Sequence, residues 1–179
     1  MSLALFALIG LALFMIHEFD EIILVRIYLN RAENLPEPHG SWWNNRSAYP
    51  STEAISMGIA EEFFISAIGL ALAVSLDIPE MAIGILIPHC FHIMSHIVDA
   101  LRVGRWVPGS LTAVITFPLL IGSGVWLILT NDLSWIWTLI WAVVLTVALF
   151  SNLRLMWSAI ISRTQKWLDQ VYQPDPAGA

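Results

Sequence analysis

Apolar residues run through this chain in long blocks, broken by short polar interruptions, with neither the strict alternation of half-buried strands nor the narrow stripes of soluble helices. A block of roughly 20 apolar residues crosses a bilayer as one helix. Five blocks meet that length, at about 2–24, 54–76, 79–103, 108–130 and 135–161. "DIPE", 77–80, and "NDLS", 131–134, read as tight turns, and Pro108–Gly109 opens the fourth span. The one long connection, Asn30 to Glu53, contains "NLPEPHGSWWNNRSAYP", whose Pro, Gly and Asn argue against a helix. Its paired Trp42 and Trp43 suit the headgroup level. The pattern predicts an all-α integral membrane bundle of about five transmembrane helices, a single domain over 1–165 with a tail at 166–179, frayed at "QPDPAGA".

Composition strengthens that reading. The chain is 58% hydrophobic and 12% charged, against about 45–50% and about 25% in soluble domains. Nine tryptophans suit membrane interfaces. Trp126, Trp135 and Trp137 read as an outer belt, and Trp106, Trp157 and Trp167 as an inner one. A net charge of −6 argues against nucleic acid as a partner. The single Cys90 excludes a disulfide framework, and the first 14 residues lack the basic start of a cleavable signal peptide.

Charge sets the orientation. In a five-span chain all eight basic residues fall on or near one side, and the N-terminus and the turns at Asp77 and Asn131 carry none. The positive-inside rule then puts the N-terminus outside and the C-terminus in the cytoplasm.

Against this background "MIHEFDEII" stands out: His17, Glu18, Asp20 and Glu21 interrupt the first apolar block. At a rise of about 1.5 Å per residue, His17 lies roughly 22 Å along its span and Asp20 and Glu21 about 27–28 Å. The second span carries Glu61 and Glu62, and the third carries His89, His92, His96 and Asp99. All fall in the inner third of the membrane. Facing agrees with depth: the four third-span groups share an arc of about 80°, and His17, Asp20 and Glu21 one of about 100°. Glu62 shares a stripe with Gly58, Ser66, Gly69 and Ala73, and small residues mark helix contacts in membranes.

Ionisable groups inside a membrane are costly and mark function. Imidazole with carboxylate is the ligand set for zinc, iron or manganese, and bundle proteins assemble such sites from His and Glu one turn apart. The candidate ligands for one or two ions are His17, Asp20, Glu21, Glu61, Glu62, His89, His92, His96 and Asp99. Of these, His17, Glu21, Glu62, His92 and His96 suffice for one ion, while His39 lies in the long connection and is excluded. The plainer reading stands beside this one. A single acid near a helix end is ordinarily solvated, as Glu18 and Asp99 could be, and a lone membrane histidine is ordinarily satisfied by a hydrogen bond. "HEFDE" also lacks the second histidine of the zincin H-E-x-x-H motif. Convergence of three spans favours the site.

The H-x-x-D-E of His17, Asp20 and Glu21 resembles the H-x-x-E-E signature of the HXXEE family of small bacterial membrane proteins. The later "HCFHIMSHIVDALRVGRWVPGSLTA" is similar to that family too: a histidine-bearing helix, then Arg, an aromatic and Pro-Gly-x-x-Thr. The resemblance spans roughly residues 10–120 and departs at Asp20, one methylene shorter than Glu. It implies a bacterial cytoplasmic membrane and transfers no activity.

Three functions compete. The first is a membrane-embedded metalloenzyme for an apolar or lipid-like substrate: iron or manganese for oxidation or desaturation, zinc for hydrolysis with Glu21 or Glu62 as general base. The second is a proton- or ion-coupled transporter, made less apt by five spans and no repeat. The third is a non-catalytic haem- or pigment-binding subunit, which leaves the acids unexplained. Membrane lipids are the expected surroundings, and assembly into a homo-oligomer or larger membrane complex stays open.

Overall fold

Short turns between apolar blocks force neighbouring helices to run antiparallel, and the computed structural model, which describes residues 2–32 and 50–172, shows that arrangement. The helices are α1 (Leu3–Ala32), α2 (Thr52–Ser75), α3 (Pro79–Val103), α4 (Ser110–Thr130) and α5 (Trp135–Leu155). A π-helical turn, Met156–Ile161, joins α5 to α6 (Ser162–Val171). Five helices are long and apolar enough to cross a membrane, and no strand occurs among the described residues. The protein is an all-α integral membrane bundle. His39, Trp42, Trp43 and Arg46, and the 173–179 end, lie outside the described residues.

Two boundaries differ from the sequence reading. α1 continues past Leu24 to Ala32, because Val25, Tyr28 and Leu29 keep packing against Ala100, Val103 and Val107. The chain does not end its helix at Ile161, since α6 carries on as a polar segment, Arg163 to Val171.

α3 lies at the centre and touches all four other long helices. Small residues set how near its neighbours come. A Cβ on Gly84 would meet the Trp141 backbone of α5 at 2.9 Å. Pro88, one turn on, offers no N–H to the Gly84 carbonyl. The π turn after α5 packs on α2, where a Cβ on Gly58 would lie 2.8 Å from Met156 Sδ. On the same stripe, Gly69 meets Ile85 and Ser66 meets His89. The small-residue face of α2 is therefore a contact face, and close van der Waals packing and hydrogen bonds, not a hydrophobic drive, favour helix association in lipid.

The outer surface is apolar. Leu101, Leu129 and Ile136 are all more than 70% exposed, which suits hydrocarbon and not water. Buried residues of α5 are few, Thr138 and Leu149. Trp126, Trp135 and Trp137 stand exposed near one end, Trp106 and Trp167 near the other, while Trp157 turns inward to a cavity.

One end of the bundle gathers the basic residues. Arg26 Nη2 donates to the Pro50 carbonyl at 2.6 Å, Ser51 N donates to Gln165 Oε1 at 2.8 Å, and Arg105 reaches the Tyr28 hydroxyl at 3.3 Å. These contacts tie the last turns of α1, the start of α2, the α3–α4 loop and α6 into one layer. At the other end Ser134 N donates to Glu80 Oε1, pinning the start of α5 to that of α3.

Candidate metal centre

His17, Glu18, Asp20 and Glu21 lie on one side of α1 within little more than a turn, so the four side chains meet a shared set of neighbours on α3 and α4. His17 and Glu18 are buried, at 0% and 2% exposure. His17 meets His92 and His96 of α3, with ring centroids 5.4 and 4.9 Å away, and those two rings lie 4.9 Å apart. Ligand atoms of His17, His92 and His96 lie within 4.8 Å of one another, and so do those of Glu18, Glu21 and His92. His92 belongs to both groups. Its Nε2 lies 3.1 Å from Glu18 Oε1, and His96 Nε2 lies 3.8 Å from Glu21 Oε2.

Hydrogen bonding fixes which imidazole nitrogens are bare. His96 Nδ1 lies 3.0 Å from the Pro108 carbonyl. A carbonyl only accepts, so Nδ1 carries the proton and a neutral ring leaves Nε2 as a lone pair. His17 Nδ1 lies 3.4 Å from Thr112 Oγ1. The Thr112 hydroxyl donates to Asp20 Oδ2 at 3.0 Å, so toward His17 it accepts. His17 Nε2 is then bare as well. Both Nε2 atoms are buried and have no hydrogen-bond partner. Two buried lone pairs facing one space, beside two carboxylates, form a donor set that a cation fits.

The loop before α4 builds this arrangement. Val107 and Ser110 bond reciprocally, Val107 N to Ser110 Oγ and Ser110 N to the Val107 carbonyl, each at 3.0 Å. That turn aims the Pro108 carbonyl at His96. Gly109, at φ 81°, leaves the space that the His96 ring fills. Thr112 N also donates to Asp20 Oδ2 at 3.0 Å, so Asp20 caps the start of α4 from another helix.

The remaining candidate residues take other places. Asp20 is engaged with Thr112 and is in neither ligand group. Its departure from Glu therefore touches the α1–α4 joint. His89 Nε2 bonds Ser66 Oγ at 3.1 Å and its ring stacks on Phe14 at 4.9 Å. Glu61 accepts from Asn152 Nδ2 at 3.1 Å. Glu62 and Asp99 line a cavity of about 210 Å³ that also meets Glu18, Glu21, His92 and His96.

Sequence reasoning undervalued Glu18, which it allowed to be a solvated helix-end acid. The structure buries it against His92, because α1 is longer than expected and Glu18 lies mid-helix. The signal was present: Glu18 and Glu21 are three residues apart and share a face. Asp99, also allowed as solvated, is 7% exposed. Thr112 stands in the Pro-Gly-x-x-Thr block without a role that the sequence assigns, and the π turn has no signal there, since an apolar run carries no distinctive pattern.

The comparisons agree with the motif reading. No curated protein and no solved structure matches the chain. A family model does, over residues 8–127, from the first third of α1 to the end of α4, and it carries every residue of both ligand groups. With well over half of its length covered, the chain belongs to the family described as proteins of unknown function with an HXXEE motif.

Proposed function

We propose that this protein binds a transition metal within the membrane and uses it as a metalloenzyme on an apolar or lipid-like substrate. The observation that carries this reading is the pair of buried, unpartnered Nε2 atoms of His17 and His96, grouped with His92. His17, His92 and His96 would hold the ion, with Glu18 or Glu21 completing its shell. A bound ion would supply Lewis-acid or redox chemistry there. The chain's own residues do the rest. Pro108 and Thr112 hold the two histidines in the ligating tautomer, an orienting role typical of metal sites. Glu62 and Glu21 line the adjoining cavity, where either carboxylate can take a proton from a reacting group.

Elemental analysis of protein purified without chelator tests the reading. At least one transition-metal ion per chain is expected, with occupancy lost in His17→Ala, His92→Ala and His96→Ala. Folded, stable protein without metal would overturn it, and a Soret absorption band would favour haem binding instead.

A further inference from the structure

A cavity lies beside the histidine cluster, lined by α1, α2, α3, α5 and the π turn. Helices α3 and α5 touch at Gly84 and Trp141, and the π turn that follows α5 packs on α2 at Gly58 and Met156. The cavity volume is about 210 Å³. Phe91 of α3 and Phe150 of α5 flank it, 49% and 47% exposed, on the lipid-facing surface. Its walls are apolar: Ile55 and Ile59 from α2, Leu153, Met156 and Ile161 from the end of α5 and its π turn. The polar end is made by Glu18, Glu21, Glu62, Asp99, His92 and His96. His96 is 8% exposed, and its Nε2 has no hydrogen-bond partner.

The volume decides what part of a molecule enters. A cavity of about 210 Å³ takes a head group and the first carbons of a chain. It does not hold a two-chain lipid whole. The rest of a longer chain has an apolar place to lie, out through the Phe91–Phe150 mouth among the lipid tails.

Charge decides the head. Four carboxylates meet the cavity, and no Lys or Arg is among its described lining residues. With these acids ionised, one divalent ion would leave the space net negative. An anionic head is repelled. A head that donates hydrogen bonds without negative charge finds acceptors on every side.

We propose that the cavity binds a single-chain amphiphile with an amine or hydroxyl head, entering sideways from the bilayer. This deepens the metalloenzyme reading and rests on it only for the chemistry, since the cavity and its carboxylates stand without an ion.

The test is equilibrium binding of dodecylamine, dodecanol and dodecanoate to the full chain in nanodiscs, with metal content measured on every sample. Saturable binding of the amine or alcohol, about tenfold or more tighter than dodecanoate, is expected. Leu153→Trp, filling the apolar wall, should weaken it about tenfold at unchanged metal content. Ile59→Phe fills the opposite wall and serves if the first variant does not fold. Dodecanoate binding as tightly as the amine and alcohol, or binding unmoved by both filled walls, would overturn the proposal. Amine binding by protein without metal would uphold the cavity and remove the metalloenzyme reading. Metal-loaded protein that binds none of the three probes would do the reverse.

Discussion

The His96 ring occupies the space that a side chain on Gly109 would need: a Cβ there would lie 2.6 Å from His96 Nδ1. Gly109 also holds φ 81°, a conformation that L side chains rarely adopt. One glycine therefore both bends the chain into α4 and seats a ligating histidine. Gly109→Ala is expected to cost about 1–3 kcal/mol of stability. It should also push the His96 ring off the Pro108 carbonyl and lower metal affinity about 10- to 100-fold. Thermal melts with metal titration check both, and a variant matching the wild type in both would contradict the packing.

Thr112 joins two motif residues through one hydroxyl. Its Oγ1 donates to Asp20 and accepts from His17. Thr112→Val keeps the shape and removes the link, leaving a buried carboxylate with the backbone N–H alone. A loss of about 1.5–3 kcal/mol follows for a hydrogen bond to a charged group. The His17 tautomer should become mixed, visible in ¹⁵N shifts of labelled imidazole. Thr112→Ser restores the hydroxyl and should restore both readouts. If valine leaves the shifts unchanged, Thr112 does not set the tautomer.

The division of labour between His89 and His92 gives a sharper discrimination. They sit three residues apart on α3, yet His89 bonds Ser66 and stacks on Phe14 while His92 faces Glu18. His89→Phe should leave Ser66 unsatisfied and destabilise by about 1–3 kcal/mol, with metal content kept. His92→Phe should abolish metal binding. Equal metal loss in both would enlarge the centre to include His89.

Much of this was legible in the chain because membranes tolerate so few polar residues that each one carries information. The five spans, the inward stripe of Gly58, Glu62, Ser66 and Gly69, and the meeting of His17 with His92 and His96 follow from length, depth and facing alone. Facing could not separate Asp20 from Glu18. Both sit within one turn of His17, and only the position of α4 turns Asp20 to Thr112 and leaves Glu18 to His92. The cavity depends on where the end of α5 and the π turn pack, since Phe150, Leu153, Met156 and Ile161 form one of its walls. A π turn has no composition of its own to read, and here it falls beside the candidate site, as such turns frequently do.

The last prediction concerns which way the bundle stands. Interlocking contacts put the end of α1, the α3–α4 loop, α6 and the start of α2 in one layer, through Arg26 with Pro50, Arg105 with Tyr28 and Gln165 with Ser51. Every basic residue among those described belongs to that layer or the turns next to it, whereas the opposite end carries Asp77, Glu80 and Asp132. Lys and Arg beside membrane spans are retained on the cytoplasmic side, and acidic residues contribute little to that choice. The layer with Arg26, Arg105 and Lys166 is therefore expected in the cytoplasm, and the histidine–carboxylate centre on the cytoplasmic side of the mid-plane. Reporter fusions after Asp77 and Asn131 should read external, and those after Lys166 internal. Cysteines placed at Ser75 and Arg163 should label from opposite faces with a membrane-impermeant reagent once Cys90→Ser has removed the native thiol. A cytoplasmic signal from the Asp77 turn would invert the molecule and move the centre toward the outer leaflet.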